Sequence, residues 1–137
     1  PNVSLCTVLE PIVTPAAPFA AAIVNIDGNR LPQSPRWIAN WTARYAIPMG
    51  DGELYAYTDW AYRSKINFFL YESVEFQDRR QLEGGLRLGY QTDKWDVAVF
   101  ARNITNDVSA VSGIDFNNLT AMVNEPRIIG VEVGIKF

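Results

Sequence analysis

The chain has 137 residues, 48% of them hydrophobic, and twelve basic against fifteen acidic side chains leave a net charge of −3. That balance offers no basic patch for nucleic acid, and the lack of any histidine removes the commonest general base and metal ligand from this stretch. A single cysteine, Cys6, excludes an internal disulfide, and no apolar run approaches the ~18–20 residues of a membrane helix.

In chain order, residues 1–36 read as irregular loop. Six of the eight prolines fall within 1–35, and the segment closes on NIDGNRLPQSPRW, a run of turn formers. The chain starts on proline without a signal peptide, from which we expect a processed chain or a segment of a longer one. From Trp37 onward apolar and polar residues alternate with period two. The pattern predicts strands over 37–47, 53–65, 81–92, 95–104 and 127–137, with no heptad pattern and no amphipathic helix. PMGDG (48–52) and TDK (92–94) predict tight hairpin turns, Asp51-Gly52 being a common turn dipeptide. Long loops are expected over 66–80 and 105–126. Short and long connections therefore alternate, as in membrane barrels with short periplasmic turns and long outer loops.

Side chains on a strand point alternately to its two faces. Alternate residues of 37–47, 54–64, 82–92, 95–103 and 127–137 form one set, whose single charge is Arg127 at a strand end. The opposite set carries eleven charges: Arg44, Glu53, Asp59, Arg63, Lys65, Glu83, Arg87, Asp96, Arg102, Glu132 and Lys136. This division suits a soluble antiparallel β-sandwich acting as a binding module, or a barrel wall with lipid outside and a polar lumen inside.

Aromatic placement favours the wall. On the uncharged set Tyr45, Tyr90, Trp95 and Phe137 lie near the short-turn ends, and Trp37, Trp60 and Tyr62 near the long-loop ends. Two aromatic girdles about an aliphatic band match a bilayer, because amphipathic rings favour the headgroup level. The opposite orientation would place Glu83 and Arg87 toward lipid, where a mid-bilayer arginine costs ~2–4 kcal/mol. The expected fold is all-β: an antiparallel transmembrane barrel wall of about five strands. Five strands cannot close a membrane barrel, so the remainder must come from upstream sequence or another chain. The last strand, apolar through Phe137, would then pair with the first strand of the barrel.

Three stretches carry a family likeness. GNRLPQSPRW (28–37) resembles the G-x-x-L-P-x-x-P passage from loop to strand found late in TonB-dependent outer-membrane receptors. RNITND (102–107) resembles their R-N-[LI]-T-[DN] element at the end of the penultimate strand, and PRIIGVEVGIKF (126–137) resembles their final strand. All three occur in the order and spacing of that family's C-terminal part. The resemblance implies the C-terminal strands of a 22-stranded barrel around an N-terminal plug, in the outer membrane of a Gram-negative bacterium. Such receptors import scarce solutes: ferric siderophores, haem, cobalamin or oligosaccharides. The implied partners are the remaining barrel strands and plug, the TonB energy-coupling complex acting through that plug, the barrel-assembly machinery, and outer-membrane lipid and lipopolysaccharide. Residues 1–36 would be an extracellular loop region, and Phe137 the residue read by the assembly machinery.

Two groups of candidate residues follow. Arg44, Asp59, Arg63, Glu83, Arg87, Asp96, Arg102, Glu132 and Lys136 are expected to line the lumen, as a solute path or as polar contacts within the wall and to the plug. In the loop at 66–80, Phe68, Phe69, Tyr71, Glu72, Glu75 and Phe76 are candidates for ligand capture, since binding residues concentrate on loops held by a rigid scaffold. The competing expectation is that this loop packs on its neighbours. No carboxylate pair, nucleophile–base arrangement or phosphate loop stands out, so no catalytic residue, metal or cofactor is expected.

Overall fold

A computed structural model describes residues 7–13, 23–115 and 119–136. Phe137 and Cys6 lie outside the described residues. Within them there is no helix, and the chain runs through β1 (Ile12–Val13), β2 (Ile23–Val24), β3 (Ile38–Met49), β4 (Gly52–Arg63), β5 (Ile66–Asn67), β6 (Gln77–Asp78), β7 (Gln81–Thr92), β8 (Trp95–Arg102), β9 (Ala110–Asp115), β10 (Leu119–Val123) and β11 (Ile128–Ile135). Every pairing is antiparallel. The chain divides into two compact units.

The first unit comprises 37–63, 81–108 and 125–137, and holds one five-stranded sheet in the order β11-β8-β7-β4-β3. These are the five strands the alternation predicts, each within a few residues of its expected ends. Pro48 falls inside β3 rather than in the turn. A strand proline is tolerated here because β3 is an edge strand, with a side that makes no ladder bonds. The first hairpin turns on Gly50-Asp51 and not on Asp51-Gly52. Met49 pairs with Gly52, and Gly50 takes the positive φ (63°) that a two-residue turn with glycine in its first central position requires. Gly52 serves instead as a site of close approach, because a Cβ there would run into the Gln91 carbonyl.

Register makes the two faces continuous. Tyr45, Ala56, Leu88, Val99 and Val131 form one row across all five strands, and the next row is Arg44, Tyr57, Arg87, Phe100 and Gly130. The uncharged set of the sequence is therefore one side of one sheet. No layer of the described chain covers it: Ile129 is 73% exposed, Val131 68%, Val133 65% and Val99 51%. Across the middle of the sheet burial falls on the polar side, where Tyr55 is 6% exposed and Ala98 is nearly closed off; on the uncharged side it is confined to the strand ends, at Thr92 and Asn103, and to Gly84.

Three strand glycines explain how large rings lie flat on this sheet. Gly84, Gly89 and Gly130 sit directly opposite Trp60, Tyr55 and Phe100. A Cβ on Gly89 would come within 2.7 Å of the Tyr55 ring, and one on Gly130 within 2.7 Å of Phe100. The missing side chains make room for cross-strand aromatic packing, which stabilises sheets by about 0.2–1 kcal/mol per pair. On the uncharged side Trp41 stacks on its partner Trp60 at 6.0 Å, and Trp60 Nε1 donates to Thr58 Oγ1 at 2.8 Å. Tyr90 leans on Trp95 and donates to the Met49 carbonyl at 2.7 Å, tying the first hairpin turn to β7.

The second unit comprises 1–36, 64–80 and 109–124. The stretches expected as plain loops carry short ladders, β5 with β6 and β9 with β10. Their small core is Ile66, Phe68 and Phe76, flanked by Phe69 and Ala110. Gly113 passes beneath Phe76, where a Cβ would come within 2.9 Å of the ring.

Two short stretches in this unit clasp each other. Val8 bridges Ser73, Leu9 N donates to the Glu72 carbonyl at 2.9 Å, and Val74 N donates to the Thr7 carbonyl at 3.0 Å. Each side also lends a carboxylate. Glu75 accepts from the Thr7 amide at 2.7 Å and from its hydroxyl at 2.9 Å, and Glu10 accepts from the Glu72 amide and the Asn29 side chain. The Thr7 amide is the main reason the Glu75 carboxyl lies below its ordinary value of 4.5. At Glu10 burial works in the raising direction, but the bonds from the Glu72 amide and Asn29 outweigh it and the carboxyl is also lowered. A carboxyl lowered in the folded state adds stability that is complete above its unfolded value and disappears as pH falls through the folded one. Acidification from pH 6 to pH 3 is therefore expected to loosen the clasp. Amide hydrogen exchange at Val74 and Leu9, corrected for intrinsic rates, should lose protection over that range, and Glu75→Gln should flatten the dependence. Unchanged protection at pH 3 would remove the carboxylates from this role.

Candidate functional site

The polar side of the five-stranded sheet gathers the candidates Arg44, Asp59, Arg63, Glu83, Arg87, Asp96, Arg102, Glu132 and Lys136. Alternation along β3, β4, β7, β8 and β11 puts them on one side, and register decides which ones meet. Toward the short turns they interlock. Arg87 Nη2 donates to Asp96 at 2.6 Å and its Nη1 to Glu132 at 2.6 Å, while its Nε donates to the Tyr55 hydroxyl at 2.8 Å. Tyr55 in turn donates to Asp96 at 2.9 Å. Arg44 pairs with Glu53, and its guanidinium lies 5.2 Å from the centre of the Tyr55 ring. One belt of polar contacts thus crosses all five strands, with Tyr55 at its middle.

Tyr55 is not among the candidates drawn from the sequence, although alternation along β4 puts it on this side. The available signal was Gly89 opposite it, which becomes visible only once the register of β4 on β7 is known.

Toward the long connections the same side opens into a cleft of about 540 Å³. Tyr57, Asp59, Gly85, Arg87, Phe100, Arg102 and Glu125 are among its lining residues, together with Glu83 and Glu132. Its floor at Gly85 has no side chain, and a Cβ there would collide with the Asp59 carboxylate. Arg102 lies 5.8 Å from the Phe100 ring centre. Arg63 stands outside the cleft and donates twice to Gln81 Oε1, at 3.2 and 3.0 Å. Lys136 is exposed at the other end of the sheet, where its backbone N–H bonds the Lys94 carbonyl.

The rim of the cleft is held by the RNITND stretch. Asn103 is 2% exposed and adopts a left-handed φ of 44°, which asparagine tolerates better than most residues. Its amide oxygen accepts from the Asp107 amide and the Thr105 hydroxyl, both at 3.0 Å, and its Nδ2 donates to the Asp107 and Glu125 carbonyls at 3.2 and 2.8 Å. Asp107 accepts from the Leu82 amide at 2.9 Å, and Asn106 accepts from the Arg127 amide at 3.0 Å. The motif is thus a corner that joins the end of β8 to the start of β7 and to the lead-in of β11.

The loop candidates separate in the other unit. Phe68 and Phe76 are buried in its core, so they are committed to packing. Phe69 packs edge-on against Phe76 at 4.8 Å and stacks on Tyr71 at 5.5 Å, leaving both half-buried. Glu75 and the Glu72 backbone belong to the clasp. These six residues do not converge on a pocket among the described residues. Nor do those residues hold a cluster of three or more potential metal ligands.

The class these features define is an antiparallel β-sheet protein with one uncharged, uncovered face and one polar face bearing a cleft. No protein-family model, curated protein or solved structure matches the chain.

Proposed function

We propose that this chain is wall from the C-terminal part of a TonB-dependent outer-membrane receptor, which binds a scarce solute and imports it into the periplasm of a Gram-negative bacterium. The observation that carries the reading is the uncharged side of the sheet, continuous in register across five strands and open over its aliphatic middle. A soluble sandwich needs a second layer on that side; hydrocarbon tails need none. The belt from Arg44 to Glu132 suits a lumen, where charges answer one another away from lipid. Among the described residues both β3 and β11 have a single neighbour, and unpaired backbone groups in lipid cost several kcal/mol each, so further strands of a 22-stranded barrel would flank them. The three stretches that resemble the receptor family supply the rest: plug and TonB complex as partners, and assembly machinery acting at Phe137.

Lipid contact is testable through the tryptophans. Trp37, Trp41 and Trp95 are all well exposed on the uncharged side. Reconstituted with phospholipid brominated along its acyl chains, the protein should lose much of its tryptophan fluorescence. A chain that remains monodisperse in detergent-free buffer and unquenched would overturn the membrane reading and favour the sandwich.

A further inference from the structure

The charges of the polar side interlock at the short-turn end, and in the cleft Asp59, Arg102 and Glu125 stand exposed to solvent. At the short-turn end Arg44, Glu53, Tyr55, Arg87, Asp96 and Glu132 answer one another. In the cleft, by contrast, the Asp59 and Glu125 carboxylates make no hydrogen bond or ion pair among the described residues, and Arg102 has only the face of Phe100. Asp59 and Arg102 carry opposite charges in one cleft yet do not pair with each other. The group that approaches Gly85 closely is the Asp59 carboxylate, which a Cβ there would meet at 2.5 Å, so the glycine lets that carboxylate lie along the floor of the cleft. Tyr57 and Phe100 supply ring walls.

We propose that this cleft binds a small dipolar solute bearing one ammonium and one carboxylate, an amino acid or short peptide. The solute's carboxylate meets Arg102, whose planar guanidinium suits carboxylates, and its ammonium donates to Asp59 and Glu125. A volume of about 540 Å³ is in the range of small-molecule sites. A ligand of one sign leaves the opposite charge unanswered, so the pairing selects for dipolar molecules. The inference deepens the receptor reading by naming its substrate class, and rests on it for the water that reaches this side of the sheet.

The test is equilibrium dialysis of radiolabelled trialanine against the intact receptor, with the strands that flank this sheet, in detergent micelles, beside N-acetylated and C-amidated trialanine. Capping either end should weaken binding about tenfold or more, as loss of a charge-assisted bond implies. Asp59→Asn should weaken free trialanine part of the way to the acetylated level, Asp59→Asn with Glu125→Gln should bring it the whole way, and both should leave the acetylated peptide unchanged. Arg102→Gln should weaken free trialanine to the level of the amidated peptide and leave the amidated one unchanged. All three side chains are exposed, so the variants should keep the parent far-ultraviolet circular dichroism. Equal binding of capped and free peptide overturns the proposal, as does no binding at millimolar peptide by a chain with its sheet intact. Quenching by brominated lipid is scored separately: quenching without peptide binding sinks the cleft alone, and peptide binding without quenching sinks the membrane reading alone.

Discussion

On the membrane reading proposed above, Val99→Arg is expected to destabilise the sheet by about 2–4 kcal/mol, while Ile135→Arg costs ~0–1 kcal/mol. Val99 sits in the middle row of the uncharged side, between Leu88 and Val131, and Ile135 pairs with Trp95 at the short-turn end. A charge at the centre of a bilayer loses its hydration, whereas one at the rim reaches headgroups and water. If water covered this side instead, both substitutions would be surface changes within about ±0.5 kcal/mol. Urea unfolding in lipid vesicles, followed by tryptophan emission, measures the difference. A steep dependence on position along the strand supports the membrane reading, and equal small effects at both sites contradict it.

Asn103→Leu is expected to cost about 2–4 kcal/mol, since it strips hydrogen bonds from groups that remain buried. The lost amide serves the Asp107 N–H and C=O, the Glu125 carbonyl and the Thr105 hydroxyl. Leucine must also hold a positive φ that favours glycine or asparagine. Asn103→Gly separates the two effects, because it keeps the backbone geometry and removes only the side chain. If the corner matters for its bonds, glycine should destabilise nearly as much as leucine; if only for its φ, glycine should be close to neutral. Denaturant midpoints of the two variants decide it. The cleft rim should follow, because Asn103 anchors Glu125 through its carbonyl.

The strands were legible because their cause is local. Alternation over 37–47 or 127–137 reflects a sheet with two unlike sides, and each residue reports its own side without reference to any partner. The first turn lies within the expected 48–52, centred on Gly50-Asp51 and not on the Asp51-Gly52 dipeptide. Either dipeptide satisfies turn chemistry, and the pairing of Met49 with Gly52 depends on how β4 lies against β7. Likewise 66–80 has the composition of a capture loop. Whether Phe68 and Phe76 face a ligand or each other depends on a hairpin and on Gly113, some forty residues away in sequence.

Side-chain alternation and turn residues alone carry the all-β class, the five long strands, the division into charged and uncharged sides, and the short turns. Those are properties of a chain's own backbone geometry. Partnership across strands is a different kind of fact. That Tyr55 lies between Arg44 and Arg87, that Asn103 closes a corner, and that Asp59 and Arg102 share a cleft without pairing all follow from register. A shift of two residues preserves every face and changes every neighbour, so no pattern within one strand can report it.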